Sequence, residues 1–200
     1  MSKQLIVAIS RECGSGGHTI AELIAGHYKV PLLDRNLLTE MCNEKNINVT
    51  NFERFDEAPR NKLLSRTVKG FSNSPEEIIA EMQFDFLKKK AAQGESFVVV
   101  GRCAETVLKG NPNLISIFVM GDMDKKIETI SKLHSITRNE AYSFIRRIDK
   151  KRKFYHNTYS DVKWGDSRNY DLCINSSRLG LNSTFTVLLE YIDKRLETEK

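Results

Sequence analysis

The sequence lacks several features that would place it in common classes of protein. No apolar run among its 200 residues approaches the ~20 residues of a membrane-spanning helix, so we expect no membrane partner. Its four cysteines are scattered and form no CxxC pair, which argues against a zinc site and predicts unpaired thiols. No signal-peptide pattern precedes the first apolar run, and we therefore expect a cytoplasmic protein.

A strong charge bias is also lacking. The 31 Lys and Arg residues exceed the 26 Asp and Glu residues by five, and the sequence pI is about 9.0. This mild basic excess suits small polyanionic ligands such as nucleotides, but it is too weak to predict a nucleic acid partner. Residues 146–155 combine basic and aromatic side chains, on which the bases of a single-stranded nucleic acid could stack. Because this patch is small, we rank nucleic acid binding third among the possible functions.

The sequence does contain a glycine-rich turn between two apolar patterns. Residues 5–9 have the continuous apolar pattern of a buried parallel strand, and apolar residues at helical spacing begin at Ile20. Gly14, Gly16 and Gly17 lie between these patterns. Such a turn can cradle phosphate, because glycine permits positive φ and the first N–H groups of a helix lack partners.

The turn departs from a standard P-loop, which reads GxxxxGK[ST]. One alignment places Arg11 at the first glycine and Gly17 at the lysine. A second alignment, one residue later, places Glu12 at the first glycine, His18 at the lysine and Thr19 at the hydroxyl position, where it could hold magnesium. Neither alignment supplies a lysine, so a tight turn that binds nothing is the alternative.

Further apolar runs of strand length alternate with helical patterns at residues 30–33, 97–100, 114–120 and 170–174. With the first run they make five strands, which predicts an α/β fold with a parallel sheet and right-handed crossovers. Residues 36–95 contain no convincing strand pattern. They predict a helical insertion between the strands at 30–33 and 97–100, which could cover a substrate. Thr137 and Glu140 predict a capping box that opens a basic helix.

Polar residues follow two of these predicted strands. Asp34 and Arg35 come directly after the second strand, and Gly101 and Arg102 come after the third. The carboxyl ends of parallel strands are where open α/β sheets bind ligands, so these side chains are candidates for contact with a ligand. A helix N-cap by Asp34 and solvated arginines are the alternatives.

The basic helix carries its own spacing pattern. Arg146, Asp149 and Arg152 recur every third residue and therefore lie on roughly one helix face. Arginines on a closing lid can neutralise a transferring phosphoryl group. A charged face that contacts only solvent is the alternative interpretation.

In chain order the sequence carries SRECGSGGHTIAELIA, LLDRNLL, FVVVGRCAETVL, RRIDKKRKFYHNTYSDVKWGD and NYDLCINSSRLGL. These segments resemble the cytidylate kinase-like family, a branch of the P-loop nucleoside monophosphate kinases. The resemblance covers nearly the whole chain and is weakest over residues 43–96. It implies a single three-layer α/β/α domain over residues 1–200, with a helical substrate flap at 36–95 and a basic lid at 137–168.

The resemblance also implies roles for particular residues. The ATP phosphates would be held by Gly14, Ser15, Gly16, Gly17, His18 and Thr19, with the Thr19 hydroxyl on Mg²⁺. The acceptor would be bound by Asp34, Arg35, Arg102 and Asp149. The catalytic positive charge would come from Arg11, His18, Arg146 and Arg152, of which Arg11 or His18 would replace part of the missing lysine charge. The implied cofactors are ATP and Mg²⁺.

The leading hypothesis is therefore phosphoryl transfer from ATP to a small phosphorylated acceptor, with a nucleoside monophosphate such as CMP as the first candidate. Such a reaction depends mainly on positioning and on positive charge, and magnesium bridges the phosphates. The absent lysine supports a second hypothesis, in which the kinase fold binds nucleotide or phosphate as a sensor with little or no catalysis.

Overall fold

A computed structural model of the chain describes residues 3–34, 37, 39, 41, 67–68, 71–72 and 74–198. In chain order its strands are β1 (Ile6–Arg11), β2 (Leu32–Leu33), β3 (Thr67–Val68), β4 (Phe71–Ser72), β5 (Phe97–Val100), β6 (Leu114–Met120) and β7 (Leu172–Asn175). In this part of the chain, five strands form a parallel sheet in the order β2-β5-β1-β6-β7. β1 lies at the centre of this sheet, so the glycine-rich turn that follows it leaves from the middle of the fold.

In the described part of the chain, the continuous helices are α1 (Gly17–Tyr28), α2 (Pro75–Ala92), α3 (Ala104–Val107), α4 (Met123–His134), α5 (Arg138–Tyr159) and α6 (Ser176–Thr198), with a 3₁₀ turn at Ser167–Asn169. α6 is interrupted at Gly180, which has non-helical backbone angles. From its sequence pattern the basic helix is expected to end near Lys153, and α5 extends beyond that residue to Tyr159. It continues because Tyr155 and His156 are buried and extend its core-facing side.

The two faces of the sheet are covered by different helices, which makes three layers. Ile6 and Ala8 of β1 belong to a buried cluster with residues of α2 and α3. Val7 and Ile9 point to the opposite face and pack with residues of α1 and α6. Because side chains alternate along a strand, this arrangement places Arg11 on the α1 side of the sheet.

The predicted five-stranded parallel sheet is confirmed. The short antiparallel pair β3–β4 was not predicted, since two-residue strands carry no readable alternation. Most of the predicted insertion before Ser74 lies outside the described residues, whereas its last helix, α2, begins at Pro75 as the sequence indicates. Among the described helices, none has both the length and the apolar composition needed to cross a bilayer.

The predicted capping box at the start of α5 is present. The Glu140 N–H donates to Thr137 Oγ1 at 3.3 Å, and Glu140 Oε2 accepts from the Thr137 N–H at 2.9 Å. We expect Thr137→Ala to lower the free energy of unfolding by about 1 kcal/mol, because it removes the side-chain acceptor of this cap. Urea unfolding measures this change. Thr186→Ala is the control, since that exposed hydroxyl lies within α6, and an equal loss in both variants would contradict the capping role.

Candidate functional site: a glycine loop under two arginines

The loop of residues 12–16 joins β1 to α1 and has the backbone of an anion cradle. Gly14 and Gly16 have φ of 79° and 75°, a conformation that favours glycine. Gly16 caps α1, which starts at Gly17, and no side chain caps the helix. The first N–H groups of α1 and its positive dipole end are therefore available to an anion.

Lys126 of α4 holds this loop from beneath. Its ammonium lies 2.8 Å from Glu12 Oε2 and 3.5 Å from Asp149 Oδ2, and its side chain is 4% exposed. Glu12 Oε2 also accepts the Gly121 N–H at 3.1 Å. A buried cation between two carboxylates ties the loop to α4 and α5, and α4 approaches so closely that a Cβ on Gly14 would lie 3.1 Å from Lys126 Cβ.

α5, the predicted lid helix, is docked on the loop and the sheet at three successive turns. Asp149 Oδ1 accepts the Cys13 N–H at 2.7 Å, and Arg152 Nη1 donates to the Arg11 carbonyl at 3.3 Å. One turn later, His156 Nε2 lies 2.6 Å from Glu105 Oε1 of α3, and both side chains are buried. These contacts fix which face of α5 points at the loop.

A cleft of about 1190 Å³ lies along the carboxyl ends of the central strands. Among the described residues, its cationic lining comes from three separate segments: Arg11 of β1, Arg102 after β5, and Lys151 and Arg152 of α5. Gly14, Gly16, Gly17, His18 and Thr19 line the same cleft. The structure therefore gathers positive charge from distant parts of the chain around the glycine loop.

The turn that presents Arg102 has an unusual backbone. Gly101, Arg102 and Cys103 have φ of 79°, 59° and 52°. A left-handed conformation costs roughly 1–2 kcal/mol for a residue with a Cβ, and two such residues occur here in succession. Strain of this kind concentrates at functional sites, and Arg102 is only 3% exposed although it lines the cleft.

His18 contacts the neighbouring strand end as well as lining the cleft. Its Nε2 lies 2.6 Å from Asp34 Oδ2, and its Nδ1 lies 3.6 Å from Glu22 Oε2. The sequence suggested His18 as a phosphate ligand and Asp34 as an acceptor ligand. The structure brings the two residues together, so the glycine loop and the end of β2 form one continuous wall of the cleft.

The other predicted site residues occupy different positions. Thr19 is exposed and lines the cleft. The Ser15 hydroxyl is buried and donates to the Glu12 carbonyl at 2.9 Å, so Ser15 can offer a ligand only its backbone. Arg146 is exposed and does not line the cleft in the described part of the chain. Arg35 lies outside the described residues.

Asp149 differs most from its predicted surroundings. Its carboxylate faces Cys13 and Lys126. Burial raises its pKa above the usual value, and the Cys13 N–H and the Lys126 ammonium oppose that rise. Burial likewise raises the pKa of the Cys13 thiol, which argues for a structural role and against an activated thiolate.

Sequence reasoning missed Lys126, Lys151 and the Glu105–His156 pair. A signal for Lys126 exists, because it falls on the apolar face of α4 beside Ile127 and Ile130. A charged residue on an apolar stripe needs a buried partner. The identity of its partners, Glu12 and Asp149, could not be predicted, because both lie more than 20 residues from Lys126 in the sequence.

We expect Lys126→Met to lower the free energy of unfolding by about 3 kcal/mol, because it leaves two partly buried carboxylates without their shared cation. Urea unfolding provides the measurement. Lys125→Met is the matched control, since Lys125 is 61% exposed and pairs only with the surface residue Glu128 among the contacts observed. A loss no larger than that of the control would show that the Lys126 ion pairs do not stabilise the fold.

Comparisons with known proteins agree with this fold. The sequence is 27% identical to a cytidylate kinase from Pyrococcus horikoshii, over 95% of this chain and 89% of that protein. A crystal structure of an uncharacterized protein from Eubacterium ventriosum has a TM-score of 0.75 and 37% identity, and covers 95% of this chain and 99% of that one. A gluconokinase from Sinorhizobium meliloti has a TM-score of 0.56 at 12% identity, with 98% and 95% coverage, and shows the fold alone.

The likeness to the Pyrococcus protein extends over both chains, so it is a likeness of whole domains. The glycine loop, the Gly101-Arg102 turn and α5 all lie within residues 6–178, the region that matches a family model. That region is most of the chain, and the protein therefore belongs to the cytidylate kinase-like family.

Proposed function

We propose that this protein transfers the γ-phosphoryl group of ATP to a small phosphorylated acceptor, with a nucleoside monophosphate such as CMP as the first candidate. The observation that carries the proposal is the convergence of Arg11, Arg102 and Arg152 on a glycine loop with the backbone of an anion cradle. Membership in a kinase family and the cytidylate kinase relatives support the same reaction class.

The loop and the first turn of α1 would hold the ATP phosphates through backbone N–H groups. Arg102 faces the cleft from the strand next to β1, a position suited to an acceptor phosphate. Arg152 approaches from α5, on the side of the loop where its Nη1 contacts the Arg11 carbonyl. Guanidinium groups bind phosphate oxygens in pairs and stay charged, so they suit a group whose negative charge shifts between two molecules.

Magnesium would neutralise the phosphate oxygens when it enters with the nucleotide. The described residues contain no cluster of three or more His, Cys, Asp or Glu side chains that could hold a metal ion without a nucleotide. We propose the Thr19 hydroxyl, exposed in the first turn of α1, as its protein ligand, although Thr19 lies one residue beyond the hydroxyl position of the alignment that begins at Arg11. This fits Mg²⁺, which commonly binds few protein oxygens and several phosphate or water oxygens.

A second candidate function is nucleotide or phosphate sensing without turnover. The specific observation in its favour is Gly17, which stands where the first P-loop alignment expects a lysine. The two functions differ in one measurable respect. A sensor binds magnesium–nucleotide and forms no product with any nucleoside monophosphate, whereas a kinase consumes ATP and forms a nucleoside diphosphate that chromatography detects.

We expect Arg152→Ala to lower kcat by about 100-fold while changing ATP affinity much less, because its charge is needed most in the transition state. Steady-state kinetics and calorimetric titration of ATP measure the two quantities. Lys153→Ala is the control, since Lys153 is the exposed neighbour of Arg152 and does not line the cleft. An Arg152→Ala enzyme with normal kcat would remove Arg152 from the mechanism.

Arg146→Ala tests the second predicted lid arginine in the same assay. Because Arg146 is exposed and lies away from the described cleft, a catalytic role would require α5 to reorient when substrates bind. A kcat reduced as far as in Arg152→Ala would support that reorientation, and a kcat near wild type would leave Arg152 as the lid arginine that acts.

A further inference from the structure

Arg11 and Gly17 both depart from the standard P-loop, one by gaining a long side chain and the other by losing one. The two residues are in contact in the structure. In the alignment that begins at Arg11, an arginine replaces the first glycine and a glycine replaces the lysine. A Cβ added at Gly17 would lie 2.5 Å from Arg11 Cβ, closer than two such atoms approach in folded proteins. A side chain at position 17 therefore cannot coexist with Arg11 in this backbone.

The backbone favours this alignment over the one shifted by a residue. Gly16 has the positive φ and the capping position next to the helix, and α1 begins at Gly17. In a P-loop the lysine directly follows the second glycine, at the start of the helix. Gly17 is therefore the structural counterpart of that lysine, and Arg11, six positions earlier, is the counterpart of the first glycine.

The space around Gly17 explains why only one of the two positions can carry a long side chain. Arg11 projects from β1 on the same sheet face as Val7 and Ile9, which is the face that α1 covers. Val119 of β6 closes the other side of this space, with its Cβ 3.3 Å from the Cβ that position 17 would carry. The stem of Arg11 fills the space beneath the first turn of α1.

We propose that Arg11 and Gly17 are an exchanged pair, in which the Arg11 guanidinium supplies the cation for the β- and γ-phosphates of a nucleoside triphosphate and Gly17 makes room for it. The proposal rests on the proposed nucleotide-binding function. It adds that the motif has not lost its phosphate-binding cation: the cation has moved from the helix to the preceding strand.

The charges around the loop agree with this exchange. Arg11 lines the cleft beside Gly14 and Gly16, and its positive charge acts on the nearby Cys13 thiol together with those of Arg152 and Lys126. Since Lys126 is held by Glu12 and Asp149 beneath the loop, it is not placed to serve as the phosphate-binding cation. Arg11 already stands in the cleft, and arginine binds phosphate in a bidentate way.

The first test is a binding measurement. Calorimetry with magnesium and a non-hydrolysable ATP analogue should show affinity lowered at least about tenfold in Arg11→Met, which keeps the stem and removes the charge. Arg11→Lys should lose less. Affinity for AMP, which has no β- or γ-phosphate, should stay at the wild-type value. Wild-type affinity of Arg11→Met for the ATP analogue would overturn the proposal, as would an equal loss for AMP.

The second test exchanges the residues back. Arg11→Gly combined with Gly17→Lys should bind the ATP analogue better than Arg11→Gly alone. Removing the Arg11 side chain makes room for the lysine, which can then contact the phosphates. Gly17→Ala tests the packing independently of any ligand. It should lower the Tm of the wild-type chain clearly more than that of the Arg11→Gly chain, since only the contact with Val119 Cβ remains once the Arg11 Cβ is gone.

These outcomes distinguish a failure of the Arg11/Gly17 exchange from a failure of the proposed function. A double variant that binds no better than Arg11→Gly, or an equal Tm loss from Gly17→Ala in both backgrounds, would overturn the exchange. A wild-type chain that binds neither the ATP analogue nor ADP would overturn the proposed function and the exchange with it. Wild-type binding that Arg11→Met leaves intact would overturn the exchange alone.

Discussion

The Lys126 ammonium, between the Glu12 and Asp149 carboxylates, is the interaction on which the architecture of the site depends. It joins the glycine loop, α4 and α5 at a place with little exposure to solvent. Salt screens ion pairs less there than at the surface. Because Asp149 also accepts the Cys13 N–H, the same contact sets the loop backbone and the rotation of α5 about its axis. The placement of Arg152 in the cleft follows from that rotation.

The site obtains its positive charge from several elements, each with its own structural reason. Arg11 lies under α1 because side chains alternate along β1, and it lines the cleft there. Arg102 is buried yet lines the cleft because two residues with a Cβ adopt left-handed backbone after β5. Arg152 is held by α5, whose far end is tied to α3 through His156 and Glu105. Under the proposed function, such an arrangement would hold these cations in place before a phosphate binds, which reduces the reorganisation that binding requires.

Much of the fold could be predicted from the sequence, because apolar runs and capping residues are local signals. The five parallel strands and the capping box at Thr137 are examples, and both are confirmed. The strand-end rule singled out Arg102 and the helical spacing singled out Arg152, and both side chains line the cleft. The contact between His18 and Asp34 could not be predicted, since it depends on how the first turn of α1 sits against the end of β2.

The sequence by itself determined the layered α/β fold and the glycine turn, since apolar periodicity and glycine content act within a few residues of the chain. It also showed that no lysine follows the second glycine. Only the tertiary structure showed that Gly17 lies against Arg11, because their spatial relation depends on how α1 packs on β1 and β6. Likewise, only packing decided that Asp149 turns to the loop and Arg146 to solvent, since both stand on one helix whose rotation is set by Lys126 and Cys13.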